Sequence, residues 1–471
     1  MIRFSNGPGA SLSCLVKLHL EKVMEIATKP LTAPGALPVF GHVLPLLRDP
    51  LAFLASLPAS GDLARIRIGP FSAVVVCDPE LTRQVLRDDA SFDKGGPLFD
   101  RAREIAGGGV ATCPHGQHRR QRSLVQPAFH HDRIPGYAQT MTAQIAAVAG
   151  SWRDGQVLDI PAETLKITMG AGVETMFSGE LPPTALRETL DDLATVFAGM
   201  YRRAIMPPAF NRLPTPANRR YHQARTRLRH TIDALIAERR AHPADRGDLL
   251  SALLTARDVD GDGGGLAEAE ISDQVITFFL GGPESTANAL AWALHLVAQH
   301  PHVEERLYAE LDSVLAGALP TLDHLPRLAL TGRIITETLR LYPPLWMLTR
   351  VTTAPVQLGD HRLPANTTLV YSPYLLHHRG DLFEDPERFD PERWDGDHRP
   401  SRRGAFIPFG SGPRRCVGDQ FGITMATLSL AAITARWRLQ SLPSHPPRPT
   451  AALTLRPRGL QMRATVRATH T

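Results

Sequence analysis

Two short runs of aliphatic residues near the start of the chain predict a β-hairpin. One run is Ala64-Arg65-Ile66-Arg67-Ile68, in which apolar and charged residues alternate, and the other is Ala73-Val74-Val75-Val76. They flank a Gly-Pro pair, which is typical of a turn. The pattern predicts that residues 62–77 form two paired strands.

The longest apolar pattern of helical period lies in the second half of the chain. It runs from near Ala269 to about His300 through Ile271, Val275, Phe278, Phe279, Gly282, Ala289, Trp292 and Leu296. Apolar residues at this spacing form one face of an α-helix. Pro283 interrupts the pattern, and an internal proline removes a hydrogen bond and clashes with the carbonyl four residues earlier. Because the pattern continues past Pro283, we predict one central helix with a local groove, not a helix end.

Proline and glycine mark further helix boundaries. A Pro-rich break within residues 203–219 separates two predicted helices. Another helix covers about 325–342 and ends at Pro343-Pro344, because proline cannot continue it. A last helix is predicted over about 418–437.

Composition places the chain among ordinary globular proteins, with 43% apolar and 21% charged residues. Residues 1–29 lack packing signals, so we predict a poorly ordered N-terminal extension. Residues 30–471 contain no repeat or clear linker, which predicts one domain. The net charge of +5 includes no dense basic stripe with interleaved aromatics, so we expect no nucleic-acid partner.

The cysteines and the hydropathy pattern bear on the compartment. The four cysteines are widely spaced and form no Cys-x-x-Cys pair, which predicts a reduced, intracellular chain. No segment approaches the roughly 18 apolar residues that span a bilayer. We therefore expect a cytoplasmic monomer without a membrane span.

The segment 409–418, Phe-Gly-Ser-Gly-Pro-Arg-Arg-Cys-Val-Gly, carries the strongest chemical signal. A cysteine thiolate donates strongly to haem iron and favours cleavage of the O–O bond. Such a thiolate needs a turn in which backbone N–H groups approach the sulfur, and Gly412 and Gly418 are expected to give that freedom. Arg414 is placed to pair with a haem propionate. Phe409 is expected to shield the sulfur of Cys416.

This segment resembles the haem-binding signature of the cytochrome P-450 family, Phe-x-x-Gly-x-Arg-x-Cys-x-Gly, and matches every fixed position. The alternative is a small buried cysteine in a glycine loop, which the full match disfavours. The resemblance extends from about Pro30 to Gly459. It implies a mainly α fold with a small β lobe (α+β), with haem b between the central helix and the loop and Cys416 as axial ligand.

Two further motifs resemble the buried Glu-Arg-Arg network of the same family. Glu337 and Arg340 stand three apart, on one helix face. Arg388, in Pro-Glu-Arg-Phe 386–389, would complete the network. Glu337 and Arg340 alone would more often be a surface ion pair that contributes little. Together, the motifs imply a structural role in holding the loop below the haem.

Gly-Gly-Pro-Glu-Ser-Thr, residues 281–286, is similar to the family's Ala/Gly-Gly-x-Asp/Glu-Thr-Thr groove, where an acid and a hydroxyl relay protons. The resemblance implies that Glu284 is the acid and Ser285 the hydroxyl. Ser285 departs from the usual threonine and lacks the methyl group that fixes its rotamer, which bears on how tightly oxygen reduction is coupled to product. Thr286, one residue further, is the weaker candidate.

The resemblance also implies cationic partners for the haem propionates. His118 and Arg122 match a His/Trp-x-x-x-Arg pattern, and Arg350 occupies the position of another family ligand. For His118 taken alone, a solvated helix face is the more ordinary interpretation.

By family topology, the substrate pocket would be lined by segments 95–110, 200–210, 278–282 and 345–349. These segments are rich in apolar residues and glycine, which favours a compact apolar substrate such as a terpenoid or a polyketide of secondary metabolism. The pocket residues that we predict on this basis are Phe278, Gly281, Gly282, Leu345, Trp346, Met347 and Leu348.

The implied reaction inserts one oxygen atom from O2 into a hydrophobic small molecule. No flavin or ferredoxin domain follows Gly459, so we expect electrons from a separate ferredoxin and its reductase. The resemblance leans towards bacterial terpenoid hydroxylases.

Alternative functions stay open on the sequence. A peroxide-driven haem-thiolate peroxygenase would not need Glu284 and Ser285, and a haem-thiolate sensor would need a second protein ligand to iron. A terpene cyclase would need Asp-Asp-x-x-Asp, but residues 191–195 lack the last acid. Residues 258–269 imitate the start of a calcium loop but carry Ala269 where a bidentate Glu is required.

Overall fold

A computed structural model describes residues 30–179, 181, 183–206, 210–258, 263–396, 404–442 and 447–467. The extension predicted over residues 1–29 lies outside the described residues, as do residues 259–262 of the segment that imitates a calcium loop. Within the described residues, helices form the larger part of the molecule and four small sheets the remainder.

The α-helices are numbered in chain order. They are α1 (Val43–Arg48), α2 (Pro50–Ser56), α3 (Pro79–Arg87), α4 (Pro97–Ala106), α5 (His115–Val125), α6 (Ile134–Gly150), α7 (Ile160–Phe177), α8 (Pro183–Ile205), α9 (Pro216–Ala241), α10 (Leu249–Thr255), α11 (Glu268–Gly281), α12 (Pro283–Gln299), α13 (Pro301–Leu315), α14 (Ala329–Leu341), α15 (Pro373–His377) and α16 (Asp419–Arg436).

The strands are numbered in the same way. They are β1 (Leu31–Thr32), β2 (Leu63–Ile68), β3 (Phe71–Val76), β4 (Phe92–Asp93), β5 (Val157–Asp159), β6 (Leu348–Thr352), β7 (Val356–Leu358), β8 (His361–Leu363), β9 (Thr368–Tyr371), β10 (Trp437–Ser441), β11 (Arg448–Ala451), β12 (Leu455–Arg458) and β13 (Gln461–Val466).

The largest sheet has the strand order β1-β2-β3-β9-β6-β4. Its β2 and β3 pair antiparallel from Leu63 opposite Val76 to Ile68 opposite Phe71, which confirms the predicted hairpin. The smaller sheets are β10-β13-β5, β11-β12 and β7-β8. The fold is therefore mainly α with a small β lobe, as expected.

The core has a helical part and a part that joins the helices to the β lobe. Helix α12 packs against α7, α14 and α16, and Trp292 and Leu290 on it are fully buried. A second cluster brings the largest sheet together with α2 and α15, and Trp346 is buried in it. None of the helices in the described residues combines the length and apolar character that crossing a bilayer requires.

The prediction of one continuous central helix was wrong, because α11 ends at Gly281 and α12 begins at Pro283. Proline has no N–H to continue the ladder. Gly282 between them keeps right-handed helical angles, with φ −94° and ψ −62°. Its N–H donates to the carbonyl of Phe278 at 3.0 Å, and its carbonyl accepts from the N–H of Thr286 at 3.2 Å. The interruption is thus confined to one residue.

Other predicted helix boundaries are close to those found. The last helix is α16, and the Pro-rich break lies between the end of α8 and the start of α9, with residues 207–209 outside the described part. The helix predicted from about 325 begins later: Leu322–Arg327 is a 3-10 turn that contains Pro326, and α14 follows from Ala329.

Candidate active site and cofactor cavity

A cavity of about 290 Å³ lies between the segment 409–418, here called the Cys416 loop, and the junction of α11 and α12. Its lining includes Phe409 and Cys416 from the loop, and Phe278, Ser285 and Thr286 from the two helices. Most of the lining is apolar or glycine. A flat apolar cofactor could lie in this cavity.

Backbone geometry explains the glycines of the Cys416 loop. Gly410 and Gly412 have φ of +68° and +69°, a region that L side chains rarely adopt. A Cβ at Gly412 would also lie 2.2 Å from the carbonyl oxygen of Leu86. Gly418 differs from the expectation, because its φ is −98° and a Cβ there would meet the ring of Phe129 at an ordinary 3.5 Å. The protein itself therefore demands glycine at 412 but not at 418.

Cys416 is presented to the cavity by this loop. Its N–H donates to the carbonyl of Phe409 at 3.0 Å, which closes the turn. It is exposed because it opens on the cavity, whereas Cys77 and Cys113 are buried. Desolvation by the protein on the other sides raises the pKa of the Cys416 thiol, and the backbone N–H of Gly418 acts in the opposite direction. Binding to a metal cation would deprotonate such a thiol.

Arg414 contacts carboxylates of the protein itself. Its Nε donates to Asp89 at 2.8 Å, its Nη2 to Asp93 at 2.9 Å and its Nη1 to the carbonyl of Cys113 at 2.8 Å. Three of its five N–H groups are thereby used. The residue lines the cavity, so the remaining N–H groups could meet an anion there.

Two cations beside the cavity lack a carboxylate partner. Lys94 donates to the carbonyl of Ala111 at 2.7 Å, and Arg350 makes a long contact of 3.5 Å with the carbonyl of Phe92 and also interacts with the Tyr371 hydroxyl. Among the described residues, no carboxylate lies within ion-pair distance of either side chain. Desolvation and the charges of Arg350 and Arg414 lower the pKa of Lys94 to about 7. This surplus of positive charge fits the two propionates of a haem.

The sequence analysis missed Lys94 and Tyr371, which also lines the cavity. Burial raises the pKa of the Tyr371 hydroxyl, which the neighbouring Arg350 opposes. One signal for Lys94 was available. The chain has 52 basic residues besides histidine, yet lysine occurs only at positions 17, 22, 29, 94 and 166.

His118 and Arg122 lie one turn apart on α5, and both line the cavity. His118 is buried, and desolvation with the charges of Arg414 and Lys94 lowers its pKa to about 3. The ring is therefore neutral near pH 7. Arg122 donates to the carbonyl of Arg415 at 2.6 Å and so ties α5 to the Cys416 loop.

The start of α12 carries the two hydroxyls of the predicted relay. Ser285 Oγ lies 2.8 Å from the carbonyl of Gly281 and 3.0 Å from that of Gly282, and Thr286 Oγ1 lies 3.0 Å from the latter. Both residues line the cavity. Glu284 points elsewhere, because its Oε1 accepts a hydrogen bond from Thr454 Oγ1 at 2.6 Å.

The predicted Glu-Arg-Arg network exists, but its third member is Arg393 and not Arg388. Glu337 and Arg340 are fully buried and form a bidentate pair at 2.8 and 2.9 Å. Arg393 Nε lies 3.5 Å from Glu337. Arg388 is exposed and contributes only its backbone carbonyl to Arg340.

The cause of this error is a repeat in the sequence. Asp-Pro-Glu-Arg occurs at 385–388 and again at 390–393. The second copy forms a 3-10 turn, Pro391–Trp394, that packs on α14. The turn also lets Trp394 Nε1 donate to Glu337 at 2.8 Å.

Five of the seven predicted pocket residues line the cavity, and two do not. Phe278, Gly281, Gly282, Leu345 and Leu348 line the cavity. Trp346 does not, because it is buried in the cluster below the sheet and its Nε1 donates to the carbonyl of Ala452 at 2.9 Å. Met347 packs against the same cluster.

Comparison with known proteins agrees with this geometry. The family model described as Cytochrome P450 matches residues 31–464. Pentalenene oxygenase of Streptomyces avermitilis is 46% identical over 438 residues, which cover 93% of this chain and 97% of that protein. Cyclooctat-9-en-7-ol 5-monooxygenase of Streptomyces melanosporofaciens is 46% identical over 414 residues, or 88% of this chain and 90% of that protein.

A solved structure gives the same result for the fold. The cytochrome P450DA heme domain superposes with a TM-score of 0.84 at 26% identity, covering 93% of this chain and 98% of that one. The fold and the cysteine-bearing cavity define a haem-thiolate monooxygenase. The chain belongs to the cytochrome P450 family, is an enzyme of that family, and uses a haem-iron cofactor.

Proposed function

We propose that this enzyme is a haem b-dependent hydroxylase of a terpenoid, with Cys416 as the residue that would bind the iron. The observation that carries the proposal is the position of Cys416, which opens on a largely apolar cavity that Ser285 and Thr286 also line. Reductive activation of O2 is the chemistry that the bound haem supplies. The protein provides orientation, charge and protons.

In this proposal, the residues of the loop side hold the cofactor. Cys416 coordinates iron, the N–H of Gly418 damps the charge on its sulfur, and Phe409 excludes water from it. Five cationic or polar side chains bind the propionates. These are Lys94, His118, Arg122, Arg350 and Arg414. Glu337, Arg340 and Arg393 keep the segment before the Cys416 loop in place.

In this proposal, residues around the junction of α11 and α12 deliver protons and bind the substrate. Ser285 and Thr286 offer hydroxyls at the cavity, and Glu284 adjoins them on the same helical turn. A hydroxyl carries one proton, so Ser285 can donate to a ligand only when it leaves the carbonyls of Gly281 and Gly282. Phe278, Gly281, Gly282, Leu345 and Leu348 shape the apolar region for the substrate.

A terpenoid substrate is supported by the relatives and by the lining. Two relatives at 46% identity are named as oxygenases of pentalenene and of cyclooctat-9-en-7-ol. The cavity offers such a skeleton apolar walls, and burial of its surface would contribute about 25 cal/mol per Å². An apolar substrate would be held by shape, with few hydrogen bonds to fix it.

Further parts of the proposal concern organisation and partners. We propose a monomeric cytoplasmic enzyme with one domain over residues 30–471, preceded by an extension at 1–29. A ferredoxin with its reductase would supply the electrons. Arg119 on α5 and Arg415 in the Cys416 loop are exposed and would attract an acidic partner, and Arg415 also pairs with Asp419 at 2.6 Å.

A spectral titration tests the proposal. Ferric enzyme is titrated with cyclic sesquiterpenes and diterpenes, and the expected result is a shift of the Soret band towards high spin. Turnover with ferredoxin, reductase and the best ligand should then yield a hydroxylated product. A sensor would remain six-coordinate, and a peroxygenase would turn over with hydrogen peroxide alone. If no terpenoid perturbs the band while other apolar ligands do, the substrate class is wrong.

A further inference from the structure

Thr454 connects the tip of a β-hairpin to the acid of the predicted relay. It lies in the turn between β11 and β12 and is 4% exposed. Its Oγ1 lies 2.6 Å from Glu284 Oε1 and 3.0 Å from Asn288 Nδ2. Glu284 and Asn288 are four residues apart on α12 and so share one face of that helix.

The direction of these hydrogen bonds follows from the donor groups. An amide Nδ2 can only donate, so the oxygen of Thr454 accepts from Asn288. The single hydroxyl proton of Thr454 is then free for Glu284, whose Oε1 accepts it. The chain Asn288 to Thr454 to Glu284 thus ends on the carboxylate, and a hydrogen bond to an ionised group is among the stronger ones.

Hydrogen bonds from the core fix the hairpin tip. Trp346 Nε1 donates to the carbonyl of Ala452 at 2.9 Å, and Trp292 Nε1 contacts the carbonyl of Leu455 at 3.3 Å. The N–H of Leu455 donates to the carbonyl of Pro344 at 2.9 Å. Trp292 itself is fully buried. These hydrogen bonds hold the hairpin tip that carries Thr454 without any contribution from Glu284.

We propose that Thr454 is a positioning residue that holds the Glu284 carboxylate at the hairpin tip, one residue along the chain from the cavity-lining Ser285, and so couples oxygen use to product. Ser285, the next residue, lines the cavity, whereas Glu284 is directed to the hairpin. The carboxylate can pass a proton to the cavity only from a defined place, and the hydroxyl of Thr454 defines it. This inference rests on the relay function proposed above for Glu284 and Ser285.

The consequence of losing Thr454 can be written as a balanced reaction. With proton delivery disturbed, O2 takes two electrons from the ferredoxin and two protons from solvent and leaves as hydrogen peroxide. The substrate is then not oxidised. The ratio of product to peroxide therefore reports how well Glu284 is positioned.

The test compares Thr454→Val, which has the same shape without the hydroxyl, with Thr454→Ser, which keeps it. Thr450→Val is the matched control, because it makes the same change on the same hairpin at a partly exposed position of β11. Thr454→Val should lower the ratio of product to peroxide about tenfold. Thr454→Ser should restore most of that ratio, and Thr450→Val should leave it unchanged.

A second readout needs neither substrate nor electron partner. The Tm of the ferric enzyme is measured for Thr454→Val, Glu284→Gln and the double variant. If the two groups interact, the double variant should lose about as much as the larger single change. Additive losses of Tm overturn the inference. A ratio of product to peroxide that is unchanged in Thr454→Val also overturns it.

The two readouts also separate this inference from the proposed function. If the enzyme makes no terpenoid product but the Tm cycle is non-additive, the substrate proposal fails and the Thr454–Glu284 contact stands. If turnover is normal and the cycle is additive, the inference about Thr454 fails alone. The ferrous carbon monoxide spectrum of each variant verifies that the cofactor is retained.

Discussion

Lys94 adds a positive charge beside the cavity, and no carboxylate in the described part of the chain lies within ion-pair distance of it. The pKa of its ammonium is about 7 because of desolvation and the charges of Arg350 and Arg414. Below that pH the group is charged and can bind a propionate. Above it, cofactor binding must also take up a proton, so the affinity should fall as pH rises.

We predict that the rate of haem loss to an acceptor protein increases between about pH 7 and pH 9, by at most about tenfold per unit. Lys94→Met should release haem about tenfold faster at pH 6 and flatten this dependence, because a charge-assisted hydrogen bond is removed. Lys166→Met, which changes an exposed lysine, is the control. A pH profile that is the same in Lys94→Met and in the unchanged enzyme would contradict the assignment.

The buried Glu337 pairs with Arg393, whereas Arg388 ends an identical Asp-Pro-Glu-Arg segment and has an exposed side chain. Arg393→Ala should lower the free energy of unfolding by about 1–2 kcal/mol, because a carboxylate in the core loses a charged donor. Arg388→Ala should change it by less than about 0.5 kcal/mol, since its side chain is exposed. Chemical denaturation followed by the Soret band measures both. Equal losses would indicate that the network is shared between the two repeats.

At the scale of elements, the glycines before α5 pack directly on α11. The N–H of Gly108 donates to Asp273 at 2.8 Å, and Arg229 on α9 donates to the same carboxylate at 2.9 Å. The N–H of Val110 donates to Gln274 at 2.9 Å. Val110 lines the cavity, so this contact fixes one part of the substrate wall.

Gly109→Ala should disturb that contact. A Cβ there would lie 2.0 Å from Thr277 Oγ1 and 2.8 Å from the backbone oxygen of Asp273, which should cost about 1–3 kcal/mol. Substrate should also dissociate faster, as measured by stopped-flow of the Soret shift. Gly116→Ala in α5, with open space around its Cβ, should be neutral or stabilising by up to about 1 kcal/mol. Equal stability of the two variants would show that the segment is not packed as described.

Periodicity and short motifs predicted much of this architecture. The hairpin β2–β3, the last helix and the break between α8 and α9 each follow from local patterns. The Cys416 loop could be recognised because its spacing of Phe, Gly, Arg, Cys and Gly matches the haem-binding signature of the family. The sequence could not choose between Arg388 and Arg393, because packing on α14 decides it.

Other features depend on contacts between distant parts of the chain. Thr454 meets Glu284 across 170 positions, and no local pattern indicates it. Trp346 looked like a pocket residue because it lies between Leu345 and Leu348, but the bond to Ala452 draws it into the core. The sequence showed an interruption at Pro283. The backbone angles and hydrogen bonds of Gly282 were needed to show that it is confined to one residue.

At the scale of the whole molecule, the net charge is +5 and arginines are exposed near the Cys416 loop. We predict that Arg119→Glu slows reduction by ferredoxin several-fold at low salt, because like charges repel an acidic partner. The effect should shrink at ionic strengths near about 0.15 M, where screening is strong. Reduction by dithionite should not change. Arg153→Glu, in the turn before β5, is the control, and an equal slowing there would exclude this face as the docking site.

The proposed bond between Cys416 and iron underlies the other assignments of the site, and one spectrum tests it most directly. The reduced enzyme under carbon monoxide should show the absorption maximum after which the family is named. Cys113→Ser should keep that maximum, since Cys113 is buried away from the cavity, and Cys416→Ala should lose it. Persistence of the band in Cys416→Ala, or its absence from the unchanged protein, would contradict the account.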